Sequence, residues 1–116
     1  MGLSTHVLDT MHGSPAAGMA VALYDTTQSP PFLIRSMTLN ADGRVDGPLL
    51  NEQQFKPGTY RLVFSVKAYF LSRGVALPEP AFLDEVSLDF GIADIRQHYH
   101  VPLLVSPWSY STYRGS

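Results

Sequence analysis

The sequence predicts an all-β fold, an antiparallel sandwich held in a single domain over residues 1–116. Three observations point there. Apolar residues recur mostly with period two, the spacing at which the side chains of a strand share a face. Turn-forming clusters of Gly, Pro, Asn, Asp and Ser interrupt the chain at intervals of roughly 8–12 residues, as between the short strands of a sandwich. The composition is apolar, with 45% hydrophobic and 16% charged residues, where soluble domains usually carry about 25% charged residues. Such a chain can bury enough surface to offset its ordering entropy, which excludes a disordered protein.

The elements follow in order. Leu3, Thr5 and Val7 share one face of a strand over residues 3–9, with Ser4, His6 and Leu8 on the other, and Gly13-Ser14-Pro15 reads as a turn. Met19, Val21 and Leu23 alternate with Ala20 and Ala22, and residues 32–39 form the next strand after Ser29-Pro30-Pro31. Asn40-Ala41-Asp42-Gly43 and Lys56-Pro57-Gly58 are turns that precede the alternation Tyr60, Leu62, Phe64, Val66. One short helix is expected from Lys67 to Arg73, closed by Gly74 as its C′ residue. Val86, Leu88, Phe90 and Ile92 mark a further strand, and residues 98–105 and 108–114, separated by Ser106-Pro107, are the last two.

Charge and composition exclude several classes of function. Eight basic and ten acidic residues give a net charge of −2, with no basic footprint for nucleic acid and no polybasic face for a membrane. No run of about eighteen apolar residues could span a bilayer. Met1 to His6 lack the basic and apolar regions of a secretory leader, and His6 stands where myristoylation of Gly2 requires Ser or Thr. A cytoplasmic location is therefore expected. The absence of cysteine excludes disulfides, thiolate catalysis and thiolate zinc sites. With so little charge, part of the apolar surface asks for a cover, and subunit interfaces would supply one.

The polar faces carry the candidate chemistry. Tyr99, Val101, Leu103 and Val105 form an apolar face, so His98 and His100 project together from the opposite one, two residues or roughly 7 Å apart. Such a pair can ligate a metal, transfer protons, or simply sit on the surface, though no third ligand stands at a recognisable spacing. His6 on its strand, Arg44 after the turn, and a chain end in which Ser109, Ser111 and Tyr113 alternate with Trp108, Tyr110 and Thr112 each have an ordinary reading too: an exposed histidine, a solvated turn arginine, a frayed tail. Asp84, Glu85, Asp89 and Asp94 form no glycosidase-like pair, and Ser14, Ser106 and Ser109 lie in no Gly-x-Ser-x-Gly elbow.

Taken together, these segments resemble one family, the transthyretin-related 5-hydroxyisourate hydrolases of purine degradation. The resemblance rests on Leu3-Ser4-Thr5-His6-Val7-Leu8-Asp9-Thr10 followed by Gly13-Ser14-Pro15-Ala16, on Asn40-Ala41-Asp42-Gly43-Arg44, on His98-Tyr99-His100-Val101-Pro102-Leu103-Leu104, and on Tyr110-Ser111-Thr112-Tyr113-Arg114-Gly115-Ser116. It implies a transthyretin-like sandwich of two four-stranded sheets with one short helix. It also implies a homotetramer, a dimer of dimers around a channel in which the active sites lie. Catalytic roles would fall to His6, Arg44, His100 and Ser116, and substrate contacts to His6, Arg44, His98, Tyr113, Arg114 and Gly115. The substrate would be 5-hydroxyisourate, hydrolysed without metal or organic cofactor. The same scaffold in transthyretin carries a small ligand without turnover, which is the alternative. Pro102 cannot donate to a ladder, and since the family shares this word it is read as an edge or bulge position at an interface. In a eukaryotic cell the expected compartment is the peroxisome, although Arg114-Gly115-Ser116 is not a Ser-Lys-Leu address.

Overall fold

Two four-stranded sheets face one another in the computed structural model, which describes residues 2–115. The strands are β1 (Leu3–Asp9), β2 (Ser14–Pro15), β3 (Ala20–Asp25), β4 (Phe32–Thr38), β5 (Gly58–Ser65), β6 (Glu85–Ile92), β7 (Tyr99–Val105) and β8 (Tyr110–Thr112), with one helix, α1 (Val66–Ser72), after β5. One sheet runs β2-β1-β7-β8 and the other β4-β3-β5-β6. The period-two pattern fixes the inner faces: Leu3, Val7, Val101, Leu103 and Val105 from one sheet meet Val21, Leu23, Leu62, Phe64 and Val86 from the other, all buried.

The structure sharpens several expectations. Ser14–Pro15 pairs with Leu8 and Asp9 as a two-residue strand inside what reads as a turn. The last strand is shorter than 108–114 because the reversal extends to Ser109, where the Ser106 hydroxyl accepts the N–H groups of Trp108 and Ser109 at 3.2 Å each. Among the described residues every pairing is antiparallel except one: β1 runs parallel to β7 in unbroken register from Leu3↔Tyr99 to Asp9↔Val105. Alternation reports which face a residue takes and carries no information on strand direction.

Pro102 requires a correction. It lies neither on a sheet edge nor in a bulge, since β7 is an inner strand with no register shift on either side. Tyr99 N–H donates to Gly2 on the β1 side and His100 N–H to Gly115 on the β8 side, so the N–H that Pro102 lacks would have faced β8. One rung of that ladder is missing there. Its carbonyl is taken instead by the Thr112 hydroxyl at 2.7 Å, and pairing resumes in the same register at His100↔Gly115.

The helix closes as a full Schellman motif. Gly74 adopts φ 78° and donates to Leu71, and Val75 donates to Phe70. Its buried residues Val66, Tyr69 and Phe70 seal one end of the core. Below it lies Asp9, fully buried, whose carboxylate accepts Tyr69 O–H at 2.7 Å, His12 N–H at 3.0 Å and His12 Nδ1 at 2.6 Å, with the Arg73 guanidinium 3.6 Å away. Burial alone would raise this carboxyl; the hydrogen bonds from Tyr69 and His12 outweigh it and hold the group below its ordinary 3.8. A depressed carboxyl contributes stability above its unfolded value and loses it as pH falls through the folded one. Tyr69→Phe, which strips one donor from a carboxylate that water cannot reach, is therefore expected to cost about 1–3 kcal/mol in urea unfolding at neutral pH. The stability gap between wild type and Asp9→Asn should close as pH falls below 3.8, and a gap that persists at acid pH would show that Asp9 acts through packing alone.

Candidate functional site

The outer face of the β2-β1-β7-β8 sheet gathers the polar residues. Parallel pairing sets Ser4 opposite His100 and His6 opposite Pro102, all pointing away from the core. The Ser4 hydroxyl sits between two imidazoles, 2.9 Å from Nε2 of His98 and 2.8 Å from Nδ1 of His100. His98 is exposed, while His6 and His100 are half-buried. Burial, followed by the positive groups of Arg44, His6 and His98, pushes His100 below the ordinary histidine value of 6.5. It therefore stays neutral, able to accept a proton, across most of the physiological range.

Arg44 reaches this face through a tightly built turn. The Asn40 side chain accepts the N–H groups of Asp42 at 2.9 Å and Arg44 at 3.1 Å, and donates to Asp46 at 2.9 Å. Val7 N–H then donates to Gly43 O at 3.0 Å, which docks the turn on β1 beside His6. Only glycine fits at position 43: φ is 71°, and a Cβ would lie 2.6 Å from the Val7 carbonyl.

The chain end closes the other side. Gly115 exchanges backbone hydrogen bonds with His100, so close that a Cβ on Gly115 would lie 2.9 Å from Cδ2 of the ring. Tyr113 is exposed on the same outer face. Arg114 goes elsewhere: its guanidinium lies 4.2 Å from the centroid of the inward-facing Tyr99 ring and donates to Gln97 at 2.9 Å and the His98 carbonyl at 3.2 Å. It is not brought together with the histidines in this chain. Ser116 lies outside the described residues.

The structure thus unites His6, Arg44, His98, His100 and Gly115 and adds Ser4, which sequence reasoning placed on the right face without a role. Only the strand register, which no local pattern reveals, puts it opposite His100. Among the described residues no group of three or more His, Asp or Glu side chains could hold a metal ion. What the set offers is a neutral half-buried imidazole, a second imidazole coupled to it, and a guanidinium with a planar fork of donors.

A family model described as HIUase/Transthyretin family matches residues 3–115. A 5-hydroxyisourate hydrolase from Rhizobium meliloti is 58% identical over 98% of this chain and 95% of its own length. One from Pseudomonas aeruginosa is 55% identical over 98% and 90%. Among solved structures, Klebsiella pneumoniae 5-hydroxyisourate hydrolase aligns with a TM-score of 0.77 at 32% identity, over the whole of both chains. Sea bream transthyretin in complex with thyroxine aligns with a TM-score of 0.87 at 29% identity, covering 99% of this chain and 95% of that one.

The contact between Gly115 and the His100 ring gives a direct check on this geometry. Gly115→Ala is expected to push the ring away from Ser4, seen as a change in the His100 imidazole ¹⁵N shifts while far-ultraviolet circular dichroism stays the same. Unaltered imidazole shifts would mean that the chain end does not hold the ring.

Proposed function

The chain belongs to the HIUase/transthyretin family, and we propose that it hydrolyses 5-hydroxyisourate to 2-oxo-4-hydroxy-4-carboxy-5-ureidoimidazoline, a cyclic-amide hydrolysis on the route from urate to allantoin. The observation that carries this reading is the convergence of three histidines and an arginine on one sheet face, around an imidazole kept neutral by its surroundings.

The chemistry needs a water made nucleophilic, a donor for the developing oxyanion, and a proton for the leaving nitrogen. His6 and His100 orient the water, and one of its O–H bonds breaks as an imidazole nitrogen takes the proton. The new C–O bond places negative charge on the former carbonyl oxygen, opposite the Arg44 guanidinium. Collapse of this intermediate breaks the ring C–N bond, and the proton held on imidazole passes to the nitrogen. Tyr113 covers the ring system, Gly115 holds His100 in place, and Arg114 anchors the chain end from the far side of the sheet. His98 supports His100. A hydrogen-bonding role for Ser116 rests on the family resemblance.

The assembly belongs to the same reading. Phe82, Trp108 and Tyr113 are more than half exposed, an apolar surface that a dimer of dimers would cover, with the site facing a channel between the dimers. The compartment proposed is the bacterial cytoplasm, in line with the bacterial relatives, or the peroxisome in a eukaryotic cell.

Four expected outcomes test the reading. The protein should accelerate the ultraviolet decay of freshly generated 5-hydroxyisourate, and His6→Ala, Arg44→Ala and His100→Ala should each lower the rate by about 10²-fold or more. The acidic limb of kcat/KM should lie below pH 6.5, the side to which His100 is displaced. Binding without turnover would instead favour a transthyretin-like carrier. Sedimentation equilibrium should report a tetramer, and a monomer that turns over at full rate would remove the channel from the mechanism.

A further inference from the structure

A serine hydroxyl held between two imidazoles has one proton for two gaps. In the chain His98 Nε2, Ser4 Oγ, His100 Nδ1, with separations of 2.9 and 2.8 Å, the hydroxyl can donate to only one ring and must accept from the other. The tautomers of His98 and His100 are therefore coupled through Ser4. Among the described residues, the charged and titratable groups around His100 are Arg44 on the docked turn, His6 on β1 and His98 on its own segment. No carboxylate there orients the imidazole; Ser4 does so, its hydroxyl 2.8 Å from Nδ1 and its backbone carbonyl adding a hydrogen bond that favours a proton on the ring. The Nε2 atom of His100 has no hydrogen-bond partner among the described residues, which leaves it as the nitrogen available to a reacting molecule.

We propose that Ser4 is a positioning residue that fixes the tautomer of His100: Nδ1–H of His100 donates to Ser4 Oγ, Ser4 O–H donates to Nε2 of His98, and Nε2 of His100 is left unprotonated as the base. This deepens the hydrolase reading and rests on it for the catalytic role. The opposite order of donation would put the proton of His100 on Nε2 and leave no lone pair to receive one from water. The same chain provides an outlet for charge. When Nε2 of His100 takes a proton from water, its Nδ1–H proton can pass to Ser4 Oγ as the serine proton passes to Nε2 of His98. One water O–H bond and one Nδ1–H bond break, one N–H bond forms on each ring, and the serine exchanges its proton. The positive charge ends on the exposed His98 instead of the half-buried His100 beside Arg44. Reversing the relay returns a proton to the leaving nitrogen.

Nitrogen-15 NMR of the imidazoles in the substrate-free protein, above the histidine titration, tests the tautomer without any turnover. The expected spectrum has His100 and His98 both protonated at Nδ1, and in Ser4→Ala His100 should become a mixture of tautomers. Ser4→Ala should lower kcat by about tenfold or more, a portion of the about 10²–10⁴-fold that general acid–base catalysis supplies, while KM stays within about twofold. It should also move the acidic limb of the pH profile downward, because an acceptor for the imidazolium has been lost. Ser4→Thr, which keeps a hydroxyl, should restore both the tautomer and the rate. Wild-type His100 protonated at Nε2, or a Ser4→Ala protein with unchanged tautomer and pH profile, would overturn the proposal. A wild-type protein with the expected spectrum and no effect on 5-hydroxyisourate would instead overturn the assigned function.

Discussion

The parallel pairing of β1 with β7 is the constraint on which the rest depends. It joins residues more than ninety positions apart in sequence, Ser4 to His100 and His6 to Pro102, so the site cannot form from any local segment and exists only once the two ends of the chain have paired in one sheet. The loop-closure entropy of that pairing is offset by the other face of the same strands, where Leu3, Val7, Val101, Leu103 and Val105 enter the core. A slip of one residue would turn those side chains outward and send the histidines inward. The register of the histidines is held by the packing of residues that never touch them.

Pro102 and the chain end show how the same strand can be tight in one place and open in another. The missing N–H removes one rung between β7 and the chain end, and Tyr113 lies opposite the gap in the prevailing register. Two fixtures then recapture the chain. Gly115 exchanges hydrogen bonds with His100 on the site face, while Arg114 stacks on Tyr99 on the core face. Tyr99 is itself pinned, because its hydroxyl accepts the N–H groups of Ala93 and Asp94 at 3.0 Å each. Tyr113 thereby stands beside the missing rung, between the hydrogen bond of Thr112 to Pro102 and those of Gly115 with His100.

Much of this was legible in the residues, and the remainder follows the limits of local patterns. Period two located seven of the eight strands, and Gly74 marked the end of the helix. The faces of His6, His98 and His100 followed from alternation alone. Ser14–Pro15 was hidden because two residues are too few to show a period, and the parallel direction of β1 because alternation is the same in both directions. Pro102 misled because its lack of an N–H matters only on the side that N–H would face, which depends on the neighbouring strand. Arg114 was expected among the histidines by its place in a motif, yet neighbours in a strand point to opposite faces, and here the guanidinium takes the Tyr99 side. Ser4 needed the long-range register.

The contrast between the two histidine settings explains why a hydroxyl, and not a carboxylate, stands beside His100. His12 has its Nδ1 2.6 Å from the buried Asp9 carboxylate, which also accepts the Tyr69 hydroxyl of α1 at 2.7 Å, a structural tie between β1 and α1. Around His100 the described residues form no ion pair to a carboxylate, and the neighbouring charges are positive. A carboxylate at position 4 would orient the ring equally well but would also favour its protonated form and attract the Arg44 guanidinium, occupying both groups before a substrate arrives. A serine orients through a hydrogen bond while adding no net charge. It leaves His100 neutral and Arg44 without a competing anion there, the state in which one can accept a proton and the other can meet an oxyanion.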